Sequence, residues 1–361
     1  NEKAVIVGYK DGNTSKALAL AFMSGAMASG CDVWNMGDCI EPELLFVMQS
    51  GNIKSGCYIE AGKITSLKVF AENGLMPTRK QERKIEGGLN RGEYLKADFG
   101  SFGVLRDTES MKELYVRSLE GILPSKFKGL CPEFKTGCER VSEILSEVIL
   151  KRIDTNGQKI IFHISGDGKK SSAYTEETGY VFYEKLIVLT AKIYFEQGKD
   201  ISLPYNFPLV ADDLAQRYGR RVLRYYNCSF DNSDSEARKL AGECDFIRDG
   251  IKLSLIVLKY LYEKGITLKQ ATSDIPDFYS TSRYVSVDNS PLKILKRFCT
   301  ENAGLGEGVA VNENNSRVII RPSKTGRGVQ MFVESFKSET AAELCDKFER
   351  MIKNNQNENI Q

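Results

Sequence analysis

Histidine is almost absent from this chain of 361 residues, which contains only His163. Any mechanism that requires two histidines is therefore excluded, as is a metal site built from several of them. His163 lies in the apolar run KIIFHI, for which we expect a β-strand. We therefore interpret its imidazole as a hydrogen-bonded side chain of the core.

Closely spaced cysteine pairs and long apolar runs are also missing. The nine cysteines include no C-x-x-C pair, which is typical of reduced thiols rather than of structural zinc or a disulfide framework. No apolar stretch reaches the roughly 18 residues of a membrane-spanning helix, and no signal-peptide pattern opens the chain. We therefore expect a cytoplasmic protein that does not associate with membranes.

The chain also lacks a strong net charge of either sign. Fifty basic residues against 48 acidic residues leave a formal charge of +2, which does not favour nucleic acid as a partner. The hydrophobic fraction of 42% is ordinary for a globular protein. The length allows two to four domains, each with its own core.

The first hundred residues alternate between strand and helix patterns. The apolar runs AVIVG, CDVWNM and GCYIEA are separated by helix-compatible segments, and LKVF follows as a fourth strand. This alternation predicts a sheet with parallel strands and helices on both faces. Because ligands bind at the carboxyl ends of such strands, we expect a site at the loops 8–15 and 61–66.

The rest of the chain changes character twice. Residues 109–152 are expected to be mostly helical, with an interruption at 124–132, and strong helix patterns cover 183–196 and 249–265, the second ending at Gly265. Four short alternating strand patterns and one amphipathic helix occupy the last eighty residues. This C-terminal part is predicted to be a separate α+β module.

Three collinear segments resemble the α-D-phosphohexomutases, the family of phosphoglucomutase, phosphomannomutase and phosphoglucosamine mutase. They are VIVGYKDGNTSKALALAFMSGAMASGCDVWNMG, DGIKLSLIVLKYLYEKGITLKQATSDIP and VIIRPSKTGRGVQMFVES. The resemblance implies mixed α/β sandwich domains followed by a C-terminal α+β domain with a small antiparallel sheet. It also implies four domains: 1–105, without the family's first strand, a shortened second domain at 106–180, then 181–282, and a phosphate-binding domain at 283–361.

The family reaction moves a phosphoryl group on a hexose through a phosphoserine and Mg²⁺, and the nucleophile loop of the family reads T-A-S-H-N-P. Here the matching stretch is EAGKITS, with Gly62 at the serine position and Lys63 at the histidine position. Ser66 is the nearest alternative nucleophile. A misplaced hydroxyl loses much of the rate, so we expect this loop to be degenerate.

The metal loop of the family reads D-G-D-x-D-R, and the resemblance aligns it with SGDGKK. Only Asp167 of the three aspartates remains, while Ser165 and Lys169 stand where two metal ligands would be. Oxygen-rich carboxylate sites suit Mg²⁺, whereas a lysine ammonium repels it. Two interpretations remain open: Lys169 pairs with Asp167 as a fixed positive charge, or both lysines of the loop point into solvent.

The sugar-selecting loop of the family, G-E-x-S-G-H, is GECDFI here. It keeps Glu243 and loses the serine and the histidine. Recognition of sugar hydroxyls is therefore expected to be weakened or altered.

The phosphate loop of the family, R-P-S-G-T-E-P, is RPSKTGR here. It keeps Arg321, Ser323 and Thr325 and gains Lys324 and Arg327. A guanidinium fork, hydroxyl groups and added cations suit a phosphate dianion, so we favour a retained anion site over a solvated turn.

Three functions are compatible with these changes. We favour a phosphohexomutase-like protein without catalysis that binds a phosphosugar or another phosphate ligand and acts as a regulator or as a partner of another protein. The alternatives are a divergent active mutase and a structural subunit without a ligand. No cofactor is predicted, and Mg²⁺ is expected only for the active alternative.

Overall fold

The structure of the chain is a computed structural model. The residues that it describes are 3–62, 64–153, 157–227, 233–288, 290–298, 304–305, 308–313, 316–323 and 328–357.

The first sheet contains the parallel strands predicted for the N-terminal hundred residues. Its strands are β1 (Ala4–Tyr9), β2 (Asp32–Asp38), β3 (Gly56–Glu60), β4 (Ser66–Phe70) and β5 (Leu105–Asp107). Their order is β4-β3-β1-β2-β5, and only β4 is antiparallel to its neighbour. The accompanying helices are α1 (Asn13–Ala28), α2 (Glu41–Ser50) and α3 (Arg79–Arg91).

Alternation along the strands divides the core of this sheet between its two faces. Val7 packs with Ala19 and Met23 of α1, whereas the adjacent Ile6 packs with Leu44 and Met48 of α2. Successive side chains of a strand point to opposite faces, so each helix covers one face. Since α1 follows β1 and α2 follows β2, both helices begin at the carboxyl end of the sheet.

A second sheet occupies the region that the resemblance assigns to a shortened domain. Helices α4 (Lys112–Glu120) and α5 (Glu139–Ile149) accompany strands β6 (Leu130–Lys135), β7 (Gln158–Ile164), β8 (Ser171–Thr175) and β9 (Gly179–Val181). The strand order is β6-β7-β8-β9, with β6 parallel to β7 and the other pairs antiparallel. The expectation that residues 109–152 are mostly helical with an interruption at 124–132 is wrong at residues 133–135, because β6 begins inside the interruption and extends beyond it. This edge strand contains Pro132, and a proline is tolerated there.

The sole histidine is not a core residue. Ile160, Phe162 and Ile164 are buried on one face of β7, while His163 points to the opposite face and is half-buried. Its imidazole lies beside Tyr180, with the ring centroids 5.9 Å apart. The interpretation of His163 as a core side chain is therefore wrong, because the residue has the outward position of an alternating strand.

The third region is mainly helical around a two-stranded parallel sheet. Its strands are β10 (Ile201–Pro204) and β11 (Val222–Tyr225), and its helices are α6 (Tyr183–Glu196), α7 (Val210–Arg217), α8 (Ser235–Glu243), α9 (Gly250–Lys264) and α10 (Leu268–Thr272). Asp249 caps α9 by accepting a hydrogen bond from the Lys252 backbone N–H, and Gly265 ends it in the left-handed conformation, with φ of 61°. The predicted end of this helix is confirmed.

The C-terminal module is an antiparallel sheet covered by helices. Its elements are β12 (Tyr279–Ser286), α11 (Pro291–Phe298), β13 (Gly304–Leu305), β14 (Gly308–Glu313), β15 (Ser316–Pro322), β16 (Gly328–Ser335) and α12 (Ser338–Asn357). The strand order is β12-β16-β15-β14-β13. Val318, Ile320, Val329 and Met331 form its core with Phe348 of α12.

An ion pair within this module is hydrogen-bonded to the preceding region. Arg317 on β15 donates a hydrogen bond to the Phe207 carbonyl at 2.6 Å and lies 3.2 Å from Glu334 on β16. The Leu209 backbone N–H donates to the same carboxylate at 2.7 Å. Burial lowers the pKa of Arg317 and raises that of Glu334, which is the pattern of a pair held away from solvent.

The predicted fold class is confirmed, since mixed α/β regions precede a C-terminal α+β module with an antiparallel sheet. The division into four domains at 105, 180 and 282 stays a prediction. Among the described residues, no helix combines the length and the apolar character needed to cross a bilayer.

Candidate functional site

The site is built at the carboxyl ends of β1, β2 and β3, where their backbones converge. The Cys39 N–H donates to the Tyr9 carbonyl at 2.9 Å, and the Lys10 N–H donates to the Ile59 carbonyl at 2.9 Å. Strands of a parallel sheet end at the same edge, so the residues after each strand become neighbours. Lys10, Glu41 and Glu60 are brought to one edge in this way.

The loop between β7 and β8, residues 165–170, folds into a tight turn. Ser165 Oγ donates to Asp167 Oδ1 at 2.5 Å and accepts from the Lys170 backbone N–H at 3.0 Å. The Lys169 backbone N–H also donates to Asp167 Oδ1, at 3.2 Å. The Asp167 carboxylate therefore organises the loop itself.

Glycines fix this loop against its neighbours. Gly168 has a φ of 74°, and a Cβ on it would lie 3.0 Å from Ile40 Cδ1. Its carbonyl accepts from the Gly250 N–H at 2.8 Å, and a Cβ on Gly250 would lie 2.5 Å from the Lys170 backbone. Because α9 begins at this contact, the loop is held between α2 and α9.

Three lysines and three carboxylates connect this loop to the hairpin between β3 and β4. In spatial order this ion-pair chain consists of Lys10, Glu60, Lys68, Glu41, Lys169 and Asp167. The successive nitrogen–oxygen distances are 2.7, 3.6, 2.9, 3.2 and 3.3 Å. Each carboxylate lies between or beside cations, so the charges alternate along the chain.

Two neighbouring members of the chain, Glu41 and Lys169, are partly removed from solvent. The side chain of Glu41 is 9% exposed and that of Lys169 is 26% exposed, whereas Asp167 is 44% exposed. Burial alone would lower the pKa of Lys169, but the charges of Glu41 and Asp167 outweigh it and raise that pKa. The Lys169 ammonium is therefore held in its charged form.

The pKa values of the carboxylates shift in the opposite direction, below their usual values. Burial raises the pKa of Asp167, but hydrogen bonds from Ser165 and Lys169 and the charge of Lys169 bring it below its usual value. A hydrogen bond from Lys10 lowers the pKa of Glu60. Every resolved pKa shift in the ion-pair chain thus favours the ionised form of its group at neutral pH.

These residues do not fit a divalent cation. Mg²⁺ binds oxygen ligands at about 2.0–2.1 Å, but the position between the Glu41 and Asp167 carboxylates is taken by Lys169 Nζ, 3.2 and 3.3 Å from them. Within the described ranges, no group of three or more His, Cys, Asp or Glu side chains could hold a metal ion.

The degenerate nucleophile loop is a short hairpin connection. Gly62 is exposed, and a Cβ built on it would meet no atom within 4 Å. Ser66 is half-buried at the start of β4, where it pairs with Glu60 across the hairpin. The Ala61 N–H donates to Ser15 Oγ at 3.0 Å, which ties the hairpin to the first turn of α1. Lys63 lies outside the described residues.

Glu243 is not a member of the ion-pair chain. It is the last residue of α8 and is exposed, whereas the neighbouring Cys244 is buried beneath β10 and accepts from the Ser202 N–H. The adjacent Gly242 carbonyl accepts from Gln49 of α2 at 2.8 Å. This contact brings the predicted sugar loop next to the first sheet.

The predicted phosphate loop connects β15 and β16. The Arg321 guanidinium lies over the Phe332 ring, 4.8 Å from its centroid, and the Ser323 N–H donates to the Gly328 carbonyl at 2.9 Å. Lys324, Thr325 and Arg327 lie outside the described residues. The role of the five residues in phosphate binding stays a prediction.

Sequence reasoning predicted a site at loop 8–15, which contains Lys10, but it did not single out that residue and it missed Glu41 and Lys68. Glu41 follows the end of β2 in the sequence, so the rule for carboxyl ends of parallel strands could have identified it as well. No local sequence pattern marks Lys68 as a member of the site. It lies inside β4, and only the antiparallel pairing with β3 directs it to Glu60 and Glu41.

Comparisons with known proteins agree with this architecture. Residues 1–96 match the family described as phosphoglucomutase/phosphomannomutase, alpha/beta/alpha domain I. Phosphoglucosamine mutase of Dictyoglomus turgidum is 24% identical, over 92% of this chain and 86% of the relative.

Solved structures share the fold. A phosphoglucomutase/phosphomannomutase family protein of Burkholderia thailandensis superimposes with a TM-score of 0.71 and 14% identity, over 97% of this chain and 89% of that chain. Aspergillus fumigatus N-acetylphosphoglucosamine mutase, solved with GlcNAc-6P and magnesium, gives a TM-score of 0.51 and 11% identity, over 98% and 77%. Sequence relatives and solved structures therefore both show a similarity of this chain to the α-D-phosphohexomutases.

Proposed function

We propose that this protein is a phosphohexomutase-fold protein that binds a phosphosugar, or another small phosphate ligand, without a metal ion and without phosphoryl transfer. It acts as a regulator or as a partner of another protein. The observation that carries the proposal is the Lys169 ammonium, which is paired with both Glu41 and Asp167 in the loop that aligns with the family's metal loop. A covalently attached cation occupies the position between these two carboxylates at all magnesium concentrations.

The reaction of the family needs more than a positive charge. Phosphoryl transfer requires a nucleophile in line with the phosphorus and a cation that neutralises the transferring oxygens. Gly62 supplies no nucleophile, and Lys169 is already neutralised by two carboxylates. Ligand binding makes lower demands, because a guanidinium and a hydroxyl group such as those of Arg321 and Ser323 can hold a phosphate by themselves.

Calorimetric titration with glucosamine 6-phosphate and glucose 1-phosphate tests the proposal, each in EDTA and in excess magnesium. We expect saturable binding of at least one ligand with the same affinity in both buffers. A coupled assay for isomerisation of the same ligands should show no turnover above the background of heat-inactivated protein.

Two variants separate the proposed phosphate contact from a general effect of charge. Arg321→Met should weaken binding at least tenfold, because a charge-assisted hydrogen bond contributes about 1.5–3 kcal/mol. Arg117→Met is the matched control, since its side chain is 72% exposed and it pairs with Glu113 on the same helix. Binding that requires magnesium, or measurable turnover, would contradict the proposal, and absence of binding by every sugar phosphate would favour a structural subunit.

A further inference from the structure

The first turn of α9 holds the loop 165–170 at two points. The Gly250 N–H donates to the Gly168 carbonyl at 2.8 Å. Ser254 Oγ lies 2.7 Å from Ser171 Oγ at the start of β8, and both residues are buried. Because this loop carries Lys169 of the ion-pair chain, a change at the first turn of α9 is transmitted to the segment that positions that lysine.

The Asp249 carboxyl group lies at the start of this turn and is removed from water, since the residue is 5% exposed. Its Oδ1 accepts from the Lys252 backbone N–H and its Oδ2 from the Tyr115 hydroxyl, both at 2.9 Å. Tyr115 on α4 is also buried and packs against Phe46 of α2, with the ring centroids 5.6 Å apart. Asp249 is therefore enclosed by α2, α4 and α9, and solvent does not compensate a charge on it.

Charged and titratable groups face this carboxyl from each element that packs around it. Glu43 of α2 carries a charge of its own, but Arg140 neutralises it at 2.7 Å. The full set consists of Tyr115 of α4, Glu43 of α2, and Asp245, Arg248 and Lys252 near the start of α9.

The cations around this carboxyl are bound to other partners. Lys252 Nζ pairs with Asp245 at 2.6 Å, and the Arg248 guanidinium donates to backbone carbonyls at 2.6 and 2.9 Å. On the side of the loop, the Lys170 ammonium lies over the Tyr183 ring, 5.2 Å from its centroid. Within the described ranges of the chain, the buried carboxyl has no lysine or arginine as an ion-pair partner.

A buried carboxyl group without a cation is more stable in its neutral form. Burial, together with the negative charge of Asp245, raises the pKa of Asp249 to about 7, although its two hydrogen bonds act in the opposite direction. When the turn opens to water, the same group regains a pKa near 3.8. The proton is therefore bound more tightly while the turn is closed.

We propose that Asp249 is a pH-dependent switch: its neutral carboxyl keeps the first turn of α9 closed against the loop 165–170, and its ionisation loosens both. The loosened loop holds the Lys169 ammonium less firmly between Glu41 and Asp167. Because Asp249 is enclosed by neighbouring elements, the switch depends neither on an exposed surface nor on ligand binding.

Proton linkage gives the direction and the size of the effect. Between pH 3.8 and pH 7 the closed turn binds one proton more than the open turn. The equilibrium constant for opening therefore rises about tenfold per pH unit over this interval and levels off above it.

Hydrogen exchange followed by mass spectrometry from pH 5 to pH 8 tests the proposal, after correction for the pH dependence of intrinsic exchange. Protection of the amides at 166–171 and 250–254 should fall on the order of 50-fold in the wild-type protein, mostly below pH 7. In Asp249→Asn it should not vary with pH, because the neutral amide can cap the helix and donate to the Tyr115 oxygen. Asp277→Asn is the matched control, since Asp277 is 82% exposed, and it should behave as the wild-type protein does.

Carbon-13 NMR of the aspartate carboxyl groups gives a second readout. The signal that is absent from Asp249→Asn should titrate with a midpoint near pH 7. Tyr115→Phe should move this midpoint upward, because it removes a donor to the ionised form.

Three results would overturn the proposal: a midpoint below pH 5, wild-type protection that does not vary with pH, or the same fall of protection in Asp249→Asn. An equal fall at strands β14–β16 would also overturn it, since opening would then be global rather than local to the loop and the first turn of α9.

Discussion

At the scale of single residues, the site depends on contacts between positions far apart in the chain. The loop 165–170 was recognisable in the sequence, and pairing of Lys169 with Asp167 was one of two interpretations. The contact of Lys169 with Glu41 spans 128 positions and follows no local pattern. It exists because β2 and β7 belong to different sheets whose ends meet, and this is information that the sequence alone does not provide.

Gly62→Ser restores the residue type that the family has at the nucleophile position. The variant should fold with unchanged stability, since a Cβ at this position meets no atom within 4 Å and φ is not in the left-handed region. It should not become phosphorylated by glucose 1,6-bisphosphate, because Lys169 still occupies the position between the two carboxylates. Intact-protein mass spectrometry detects the phosphoryl group, with Gly62→Ala as the control. Stoichiometric phosphorylation of the serine variant would refute this expectation.

At the scale of helices and strands, strong periodicity predicted most elements, and local exceptions caused the errors. The first sheet, the long helix α9 and the C-terminal strands follow from alternation and helical spacing. Strand β6 was missed because Pro132 and two charged residues interrupt its apolar pattern. His163 was assigned to the wrong face because an apolar run does not reveal which face of a strand is covered.

The contact between α2 and α5 depends on a buried ion pair. Glu43 on α2 has a side chain without solvent exposure, and Arg140 on α5 donates to both of its oxygens, at 2.7 and 3.1 Å to Oε1 and 3.3 Å to Oε2. The same carboxylate accepts from the Ile40 N–H at 3.1 Å, which caps α2.

Arg140→Met should lower the free energy of unfolding by about 3–5 kcal/mol, because Glu43 is left charged and buried without its cation. Urea denaturation measures the change. Arg117→Met removes an arginine from an exposed pair and should change stability by about 0.5 kcal/mol or less. Equal effects of the two variants would show that the burial of Glu43 does not determine the loss of stability.

The start of α9 should make stability depend on pH. Burial raises the pKa of Asp249 to about 7, although the Lys252 N–H and the Tyr115 hydroxyl both donate to its carboxylate. In the unfolded chain the same group has a pKa near 3.8. Between these values the folded state binds the extra proton, so this stabilising contribution is full below pH 4 and is lost as the pH rises through 7.

Asp249→Asn should remove this dependence while keeping a residue that can cap the helix. The free energy of unfolding, measured by urea titration from pH 5 to pH 8, should fall with rising pH less steeply in the variant than in the wild-type protein. Asp277→Asn is the control for a general change of charge, because Asp277 is 82% exposed and pairs with Lys185 at the surface. Parallel pH profiles for wild type and Asp249→Asn would argue against a neutral buried carboxyl.

At the scale of the whole molecule, the resemblance gave the order of the regions, but not how they contact one another. Arg317 illustrates the difference, because it precedes the predicted phosphate loop closely in the sequence and yet lies at the other end of β15, where it contacts the Phe207 carbonyl and Glu334. Nothing in its local sequence separates such a structural arginine from a ligand-binding one. Only the register of β15 against β16, with Arg317 opposite Glu334, identifies its role.

Arg317→Met should loosen the attachment of the C-terminal module. Glu334 is only 13% exposed and loses its cation in this variant, at a cost of about 1.5–3 kcal/mol. Amide exchange should accelerate at 207–210 and along β16, as followed by mass spectrometry. Lys347→Met is the control, because its ion pair with Glu313 in the same module is much more exposed. Identical exchange in the two variants would exclude Arg317 as the attachment point.

The pairing of Lys169 with two carboxylates also limits how the sequence can evolve. Replacing the lysine by an aspartate in one step would crowd three negative charges together, which is unfavourable until a cation of sufficient affinity binds. Removing Asp167 or Glu41 first would leave an ammonium without full compensation. Direct replacement of Lys169 by aspartate is therefore expected to be unfavourable while Glu41 and Asp167 are both present.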